Sequence, residues 1–291
     1  MDALLQILIS GVVVGCIYGM AALGFTTVFN ATRVVNFANG EFLMLGGVVL
    51  AGVVSAAGLP VPLAVAVAVG AAAAVGVAMQ TLVLDRARST DPLTLVMLTI
   101  GMALVLRGGA ALAFGREVSF VPDFGLLPVL LLGDAYVPSQ GLWIVLTLLL
   151  VGVGFWVLFE RTSFGKAMRA ASQEPRAAAL CGIEPRRAAA AAFALASGLG
   201  GLAGALLAPI SAAFYENGIF LGLKGFAAAA AGGLGNPLGA IAGGLLIGIV
   251  ESLSAGYLAS GYKDAIAYLL LVVVLLFRPA GLLGRAAVAR V

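Results

Sequence analysis

Long apolar runs separated by short polar breaks dominate the pattern along the chain. A membrane-spanning helix needs about 20 mostly apolar residues, and eight runs are candidates. They are Leu4–Phe29, Val34–Ala57, Val61–Leu84, Leu93–Phe114, Gly141–Phe159, Ala188–Ala208, Leu221–Val250 and Ala265–Phe277. The pattern predicts an all-α polytopic membrane protein with about eight membrane-embedded helical segments. We expect them to form one transmembrane domain over residues 1–291.

The composition supports a membrane location and restricts the chemistry. Hydrophobic residues make up 62% of the chain and charged residues 10%, against about 25% charged in an ordinary soluble domain. Mean hydropathy is +1.14, which excludes a soluble enzyme, a nucleic-acid binder and a disordered chain. The chain has no histidine, and Cys16 and Cys181 lie far apart. We therefore expect no metal site, disulfide or histidine-dependent catalysis.

Basic residues cluster in three places and predict how the bundle is oriented. They are Arg86 and Arg88 after the third run, the loop Arg161–Arg187, and Arg278, Arg285 and Arg290 in the tail. Cytoplasmic loops carry the excess of Lys and Arg, so all three regions are predicted to be cytoplasmic. This places the N-terminus outside and the C-terminus in the cytoplasm.

A glycine-rich segment, Gly222–Gly244, determines whether this orientation agrees with the number of membrane crossings. Six crossings from an outside start end outside, so the tail is inside only if exactly one of the last two runs crosses. Glycines and Pro237 interrupt helical hydrogen bonding in this segment, which is tolerated in a membrane only where protein or a cavity surrounds the backbone. We predict a re-entrant or broken segment; a long kinked helix, with the tail outside, is the alternative.

A polar cluster opens the second run, in the sequence Asn36–Gly46. Asn36, Asn39 and Glu41 have two interpretations: a helix N-terminal cap, or a broken-helix site whose polar groups face a substrate. Interrupted segments in the two halves of a transporter point to its pathway. The candidate pathway residues are therefore Asn36, Asn39 and Glu41 in one half and Gly232, Gly233, Gly235 and Asn236 in the other.

Three charged residues lie within or beside apolar runs: Arg107, Lys224 and Glu251. Intramembrane charges are functional candidates, but all three lie near estimated segment ends. Snorkelling or ion pairing is the favoured interpretation. Small residues also recur at GxxxG spacing, including Gly11, Gly15 and Gly19, which predicts close helix packing.

The loop Arg161–Arg187 has more order than basic residues alone would require. Pro175 is suited to the first position of a short helix, and Gly182 to its C-terminal stop. An amphipathic helix between two spans is a docking element for a cytoplasmic partner. The chain itself has no Walker A sequence, because no lysine is followed by Ser or Thr, and we see no catalytic residues.

A set of short motifs, in order and at consistent spacing across nearly the whole chain, indicates a family. They are Gly15–Gly24, Asn36–Glu41, Arg161–Ala170, Ala179–Ile183, Lys224–Phe226, Gly232–Gly235, Gly239–Gly244, Tyr262–Asp264 and Arg278–Gly284. In these motifs the chain resembles the permease subunits of branched-chain amino acid ABC importers, the LivH type. Relatives commonly have histidine where this chain has Asn39.

The resemblance implies a multi-pass subunit of a bacterial cytoplasmic (inner) membrane. Its implied partners are a second homologous permease, two cytoplasmic ATPase subunits, an extracytoplasmic solute-binding protein and membrane lipid, with no nucleic acid. ATP and magnesium would bind the ATPase subunits, and this chain would hold no cofactor. The loop would be the ATPase-docking loop, with candidate residues Arg161, Gly165, Arg169, Glu174, Ala178 and Gly182.

Three alternatives stay open at this point. The same family includes importers of urea and short amides. An ion-coupled carrier working alone would use Glu41 or Glu251 as a proton site, and a structural scaffold would have no pathway. Uptake driven by ATP, by an ion gradient or by neither separates the importer, the ion-coupled carrier and the scaffold, whereas the transported substrate stays open.

Overall fold

The computed structural model describes residues 2–87, 91–125, 130–132, 135–258 and 260–284. These residues form α-helices and one small hairpin. The helices are α1 (Asp2–Thr32), α2 (Asn39–Ala57), α3 (Val61–Ala78), α4 (Pro92–Phe114), α5 (Ser139–Arg161), α6 (Ser163–Gln173), α7 (Pro175–Leu180), α8 (Pro185–Ser211), α9 (Asn217–Gly232), α10 (Pro237–Tyr257) and α11 (Lys263–Phe277). A π-helical stretch, Met79–Leu84, continues α3, and a 3₁₀ turn, Ser260–Tyr262, precedes α11.

Seven helices in the described residues are long and apolar enough to cross a membrane: α1, α2, α3 with its π-helical continuation, α4, α5, α8 and α10. Helices α9 and α11 are shorter, with 16 and 15 residues. The prediction of a polytopic all-α membrane protein with about eight segments is confirmed. Proline at the first helical position begins α4, α7, α8 and α10, where its missing N–H costs no hydrogen bond.

The bundle has a buried centre and an apolar outer surface. Most of α1, α2 and α8 is buried, whereas only 22%, 17% and 22% of the spanning windows of α3, α4 and α5 are buried. The exposed side chains include Leu104, Leu112 and Leu150. Apolar exposure of this extent is the surface of a protein that has lipid or other membrane subunits around it.

Close backbone packing joins α1 to α10 at the centre. A Cβ added at Gly248 would overlap the backbone of Gly15, and one at Gly244 would overlap Gly19. The predicted packing role of the GxxxG glycines is therefore confirmed for these pairs, since no larger residue fits where the two backbones meet.

The glycine-rich segment is broken, as one of the two predicted forms required. The single run expected over Leu221–Val250 is two helices, α9 and α10, which fold back on each other at residues 233–236. Gly233 and Gly235 have φ values of +108° and +93°, which favour glycine. The Asn236 side chain then caps α10 by accepting from the Leu238 N–H at 3.0 Å. The long kinked helix is excluded.

Two further boundaries differ from the sequence prediction. The segment Gly115–Gln140, which lies between the fourth and fifth predicted runs, contains an antiparallel hairpin of β1 (Leu130–Leu132) and β2 (Ala135–Val137). Helix α2 begins at Asn39 and not at Val34, because the chain turns sharply after α1. Arg33 has φ +59°, and the Asn36 side chain accepts from the Ala38 N–H at 3.0 Å, which fixes a turn before the helix.

The described parts of the basic regions lie on one face of the bundle. Asp85 and Ala87, next to Arg86, line the same cavity as Ala171, Pro175 and Arg186 of the loop between α5 and α8. The segment after α11 lies against the turn between α9 and α10, where Leu282 donates to the Ala231 carbonyl at 2.8 Å. Arg88, Arg285 and Arg290 lie outside the described residues.

Candidate pathway and docking site

Helix α2 begins in the interior of the bundle. The Asn39 side chain donates to the carbonyl of Ala21 in α1 at 3.1 Å. At about 1.5 Å per residue, Ala21 is about 16 Å from the end of α1 at Thr32, roughly half of a bilayer core about 30 Å thick. Residues 33–38 carry the chain back to this depth. The broken-helix interpretation of this segment therefore describes the geometry.

The alternative interpretation of the polar cluster as a helix cap holds only in part, because Glu41 does lie in the first turn of α2. No side-chain cap bond forms at the start of α2 among the described residues. Asn36 holds the preceding turn, Asn39 reaches α1, and Glu41 forms an ion pair with Arg107 of α4. All three predicted residues are buried, and Glu41 fixes the otherwise weakly packed α4 to the bundle.

A second discontinuous helix meets α2 at this depth. Helix α8 ends at Ser211, Ala212 has φ +51°, and α9 begins at Asn217 within the bundle. Gly40 lies against Gly222, where an added Cβ would be 2.5 Å from the Gly222 Cα, and Gly218 lies against the Glu41 carboxylate. The N-terminal ends of α2 and α9 therefore face each other. Each follows a residue with positive φ at the end of the preceding helix, Arg33 before α2 and Ala212 before α9.

The residues predicted for the second half of the pathway lie at the other end of α9. Gly232, Gly233, Gly235 and Asn236 form its turn into α10. Asn30 of α1 donates to the Gly235 carbonyl at 2.9 Å, and Asn236 donates to the Leu283 carbonyl at 2.8 Å. The structure therefore does not bring them to Glu41.

Two residues meet Glu41: Arg107 and Gly218. Sequence reasoning expected Arg107 to be paired without naming its partner, and it missed Gly218. The sequence pattern that could have indicated Gly218 is weak. Gly218 and Gly222 have GxxxG spacing, which occurs throughout the chain.

Two cavities lie on either side of this polar cluster. The larger, about 420 Å³, opens beside the loop between α5 and α8 and reaches Asn36, Gln80 and Thr99. The smaller, about 270 Å³, is lined by Glu41 and Arg107 together with apolar side chains. Phe37 separates them, with its N–H donating to the Thr99 hydroxyl at 3.1 Å and its ring 5.4 Å from that of Phe226.

A second group of buried charges joins four helices. Lys224 of α9 lies 2.7 Å from Glu251 of α10, 2.7 Å from Asp264 of α11 and 3.1 Å from the Tyr18 hydroxyl of α1. The favoured interpretation of the intramembrane charges as paired is confirmed for Arg107, Lys224 and Glu251. Since pairing offsets the cost of burying each charge, this cluster fixes α9 against its neighbours.

The loop between α5 and α8 contains one more helix than the sequence predicted. Helix α6 crosses the end of α5, where an added Cβ at Gly165 would lie 2.7 Å from the Phe159 Cα. The Arg169 guanidinium donates to the Phe159 carbonyl at 2.6 Å and pairs with Glu160 at 3.2 Å. Met168 and Ala171 are buried against α1 and α8. The three-residue spacing from Gly165 to Met168 and Ala171 was the signal for this helix.

The predicted short helix is present as α7. Glu174 precedes it, Pro175 begins it and Ala178 is its buried residue. Gly182, with φ +81°, donates to the Ala179 carbonyl, and Ile183 donates to the Ala178 carbonyl, both at 3.0 Å. This pair of bonds is the Schellman stop that a glycine permits.

The outer side of α7 exposes both apolar and basic side chains. Leu180 is 90% exposed, and the residues exposed around it are Pro175, Arg176, Ala177, Ala179 and Cys181. Arg161, at the end of α5, is also exposed and stacks over the Trp156 ring at 5.4 Å. Helix α7 packs on α6 and α8, and α6 in turn contacts α1, α5 and α8.

These features define a class of protein: a multi-pass membrane protein with facing discontinuous helices and two short helices, α6 and α7, on one face. Residues 7–275 match the family described as branched-chain amino acid transport system / permease component. The chain belongs to this family.

Similar proteins carry the same description along their whole length. The chain is 32% identical to the high-affinity branched-chain amino acid transport system permease protein LivH of Salmonella typhimurium, covering 99% of this chain and 97% of the relative. It is 31% identical to LivH of Escherichia coli, with the same coverage. It is 30% identical to BraD of Pseudomonas aeruginosa, covering 99% and 98%.

Proposed function

We propose that this chain is the membrane-spanning subunit of an ATP-driven importer of branched-chain amino acids in a bacterial cytoplasmic membrane. The observation that carries the proposal is the full-length match to relatives named as permeases of this substrate class. The partners are a second homologous permease, two cytoplasmic ATPase subunits and an extracytoplasmic solute-binding protein. ATP and magnesium bind the ATPase subunits, and this chain supplies the pathway.

Docking of the ATPase occurs on α6 and α7. Leu180 enters an apolar groove of the partner, and Arg161, Arg169 and Glu174 surround the contact or position it. Gly165, Ala178 and Gly182 shape the element without contributing charge. Because Met168 and Ala171 are buried against α1 and α8, a displacement of α6 by the ATPase moves these spans.

The pathway passes the start of α2, where Asn36, Asn39 and Glu41 are buried at mid-depth. The larger cavity connects this point to the docking face and the smaller one lies beyond Phe37. A pathway role for Gly232, Gly233, Gly235 and Asn236 stays a prediction. Their position at the turn between α9 and α10 supports a hinge there.

The orientation follows from the basic face. Its arginines are cytoplasmic by the positive-inside rule, so the N-terminus is outside and the C-terminus is inside. The hairpin and the start of α9 are then reached from the outer side. The docking loop then faces the cytoplasm, where ATP is available to an ATPase subunit.

Affinity purification from the native membrane, followed by uptake into proteoliposomes, tests this function. We expect recovery of two ATPase subunits and a second permease, and leucine uptake that requires ATP and the binding protein. Uptake of urea or short amides in place of leucine would assign the other substrate class. Recovery of the chain alone, with uptake driven by an ion gradient, would overturn the proposal and make Glu41 and Glu251 the first residues to mutate.

A further inference from the structure

The smaller cavity combines one ion pair with apolar walls. Its volume is about 270 Å³, and among its described lining residues only Glu41 and Arg107 are charged. Its apolar walls are Phe25, Phe37, Ile100, Leu104, Ile219 and Leu223. Leu104 and the other wall residues of α4 and α9 are partly exposed, so the cavity opens on the outer face of the subunit between these two helices. A concave apolar site with a few converging polar groups is the usual form of a small-molecule site.

The ion pair leaves binding capacity on both of its members. Glu41 uses Oε1 to accept from an Arg107 Nη atom. Within the described part of the chain, Glu41 Oε2 and Arg107 Nε have no hydrogen-bond partner. Glu41 is only 2% exposed, so a free carboxylate oxygen there is costly unless a ligand satisfies it.

Two helix N-termini add to the positive potential at the same place. Helices α2 and α9 both begin here, and Gly40 and Gly218 bring their first turns into contact. Unpaired N–H groups at a helix start favour a carboxylate nearby. In discontinuous helices of transporters these ends face anionic groups of the substrate.

Charge balance excludes a simple ion as the ligand, and the free acceptor and donor atoms favour a ligand that carries one charge of each sign. The pair is neutral as a whole, so a simple cation or anion would leave a net charge in a region of low dielectric constant. A zwitterion adds one charge of each sign and leaves the site neutral. An aliphatic side chain on that zwitterion would contact the apolar walls.

We infer that Glu41 and Arg107 form the binding site for the main-chain groups of a transported amino acid. Glu41 Oε2 accepts from the α-ammonium group, Arg107 donates from Nε to the α-carboxylate, and the branched side chain lies between Phe25, Leu104 and Ile219. This inference rests on the proposed function and names its point of substrate recognition inside the membrane.

Binding to the assembled importer, purified without its binding protein, tests the chemistry of the ligand. Radiolabelled leucine is competed with leucine amide, which lacks the carboxylate, and with 4-methylpentanoate, which lacks the ammonium group. We expect each analogue to bind at least about 30-fold more weakly, as for loss of one partner of a buried charge pair. Competition by either analogue, or by urea, as strong as that by leucine would overturn the inference.

Variants separate recognition from folding. Arg107→Gln and Glu41→Gln should lose leucine binding by a similar factor, and Arg107→Lys by less. Ile219→Trp fills the cavity without changing a charge, and should weaken binding of leucine more than that of alanine. Leu112→Trp, on the exposed side of α4, is the control for added bulk and should bind as wild type does.

The ratio of leucine transported to ATP hydrolysed distinguishes a failure of this inference from a failure of the proposed function. Arg107→Gln should hydrolyse ATP in response to the loaded binding protein yet transport little leucine. Wild-type leucine binding by both Arg107→Gln and Ile219→Trp would overturn the inference and leave the importer intact. A wild-type complex that takes up no branched-chain amino acid would overturn the proposed function itself.

Discussion

Two buried ion pairs use similar chemistry in different surroundings. Glu41 and Arg107 lie beside a cavity, and each has an atom without a partner within the described chain. Lys224 contacts two carboxylates and a phenol on three neighbouring helices. Glu251 Oε2 also has no partner within the described chain, but Glu251 lines neither of the two cavities described above. The first arrangement therefore has room for a ligand, whereas the second acts as a structural joint.

Replacing the lysine of that joint should destabilise the fold. Lys224→Met leaves Glu251 and Asp264 without their shared cation, at a cost of about 3–5 kcal/mol. The midpoint of thermal unfolding in detergent should fall sharply. Adding Glu251→Gln and Asp264→Asn should recover part of the loss, and Lys263→Met, on an exposed neighbour, should have little effect. Equal midpoints for Lys224→Met and Lys263→Met would contradict the role of the joint.

Glycines along the contact between α1 and α10 differ from glycines that face outward. Gly248→Ala places a methyl group against the Gly15 backbone and should cost about 1–3 kcal/mol by overpacking. Gly70→Ala, in α3, meets nothing within 4 Å and should be neutral or slightly stabilising through helix propensity. The measurement is the midpoint of thermal unfolding of both variants in the same detergent. A lower midpoint for Gly70→Ala than for Gly248→Ala would contradict close packing between α1 and α10.

Single helices differed in how well their sequence predicted them. Pro175 and Gly182 predicted both ends of α7, because an N1 proline and a C-terminal glycine are local signals. The facing starts of α2 and α9 were only half predicted. Asn36, Asn39 and Glu41 stand out as polar residues opening an apolar run, but Gly218 shows its role only when it lies against Glu41.

Helix α7 should be essential for coupling and dispensable for insertion. Gly182→Pro is incompatible with φ +81°, since proline requires φ near about −65°, and it removes the bond that ends the helix. Uptake should be abolished while the protein still reaches the membrane. Leu180→Glu should weaken ATPase association more than Leu180→Ala does, as measured by co-purification. Normal uptake by Gly182→Pro would refute the docking assignment.

At the scale of the molecule, a common face for the basic regions was predictable and long-range pairing was not. Basic residues are counted segment by segment, so Arg86, the loop Arg161–Arg187 and Arg278 predicted one common face without any knowledge of packing; which side of the membrane that face occupies stays a prediction. Glu41 and Arg107 are separated by 66 positions. No local pattern indicates that these two charges meet, and glycine spacing alone indicates close contacts without naming their partners.

The two native cysteines report this sidedness. Cys181 is exposed on the docking face and Cys16 is buried. A membrane-impermeant maleimide should therefore label Cys181 in inside-out vesicles and not in intact cells. Glu117→Cys, beside the outer ends of α2 and α4, should show the opposite pattern in a Cys181→Ser background. Labelling of Cys181 from outside the cell would invert the proposed topology, and bound ATPase should protect it.

The glycine contact between α1 and α10 determines which parts of the molecule are able to move. Where backbones touch without intervening side chains, neither helix slides or rotates unless the two separate. Helices α1 and α10 therefore move as one unit, and Lys224 joins α9 and α11 to that unit. Within the described residues, helix α4 lacks such a contact and is held to α2 through the Arg107–Glu41 ion pair. A displacement passed from α6 to α1 is therefore carried to α10 by direct backbone contact, with no side chain between them to absorb it.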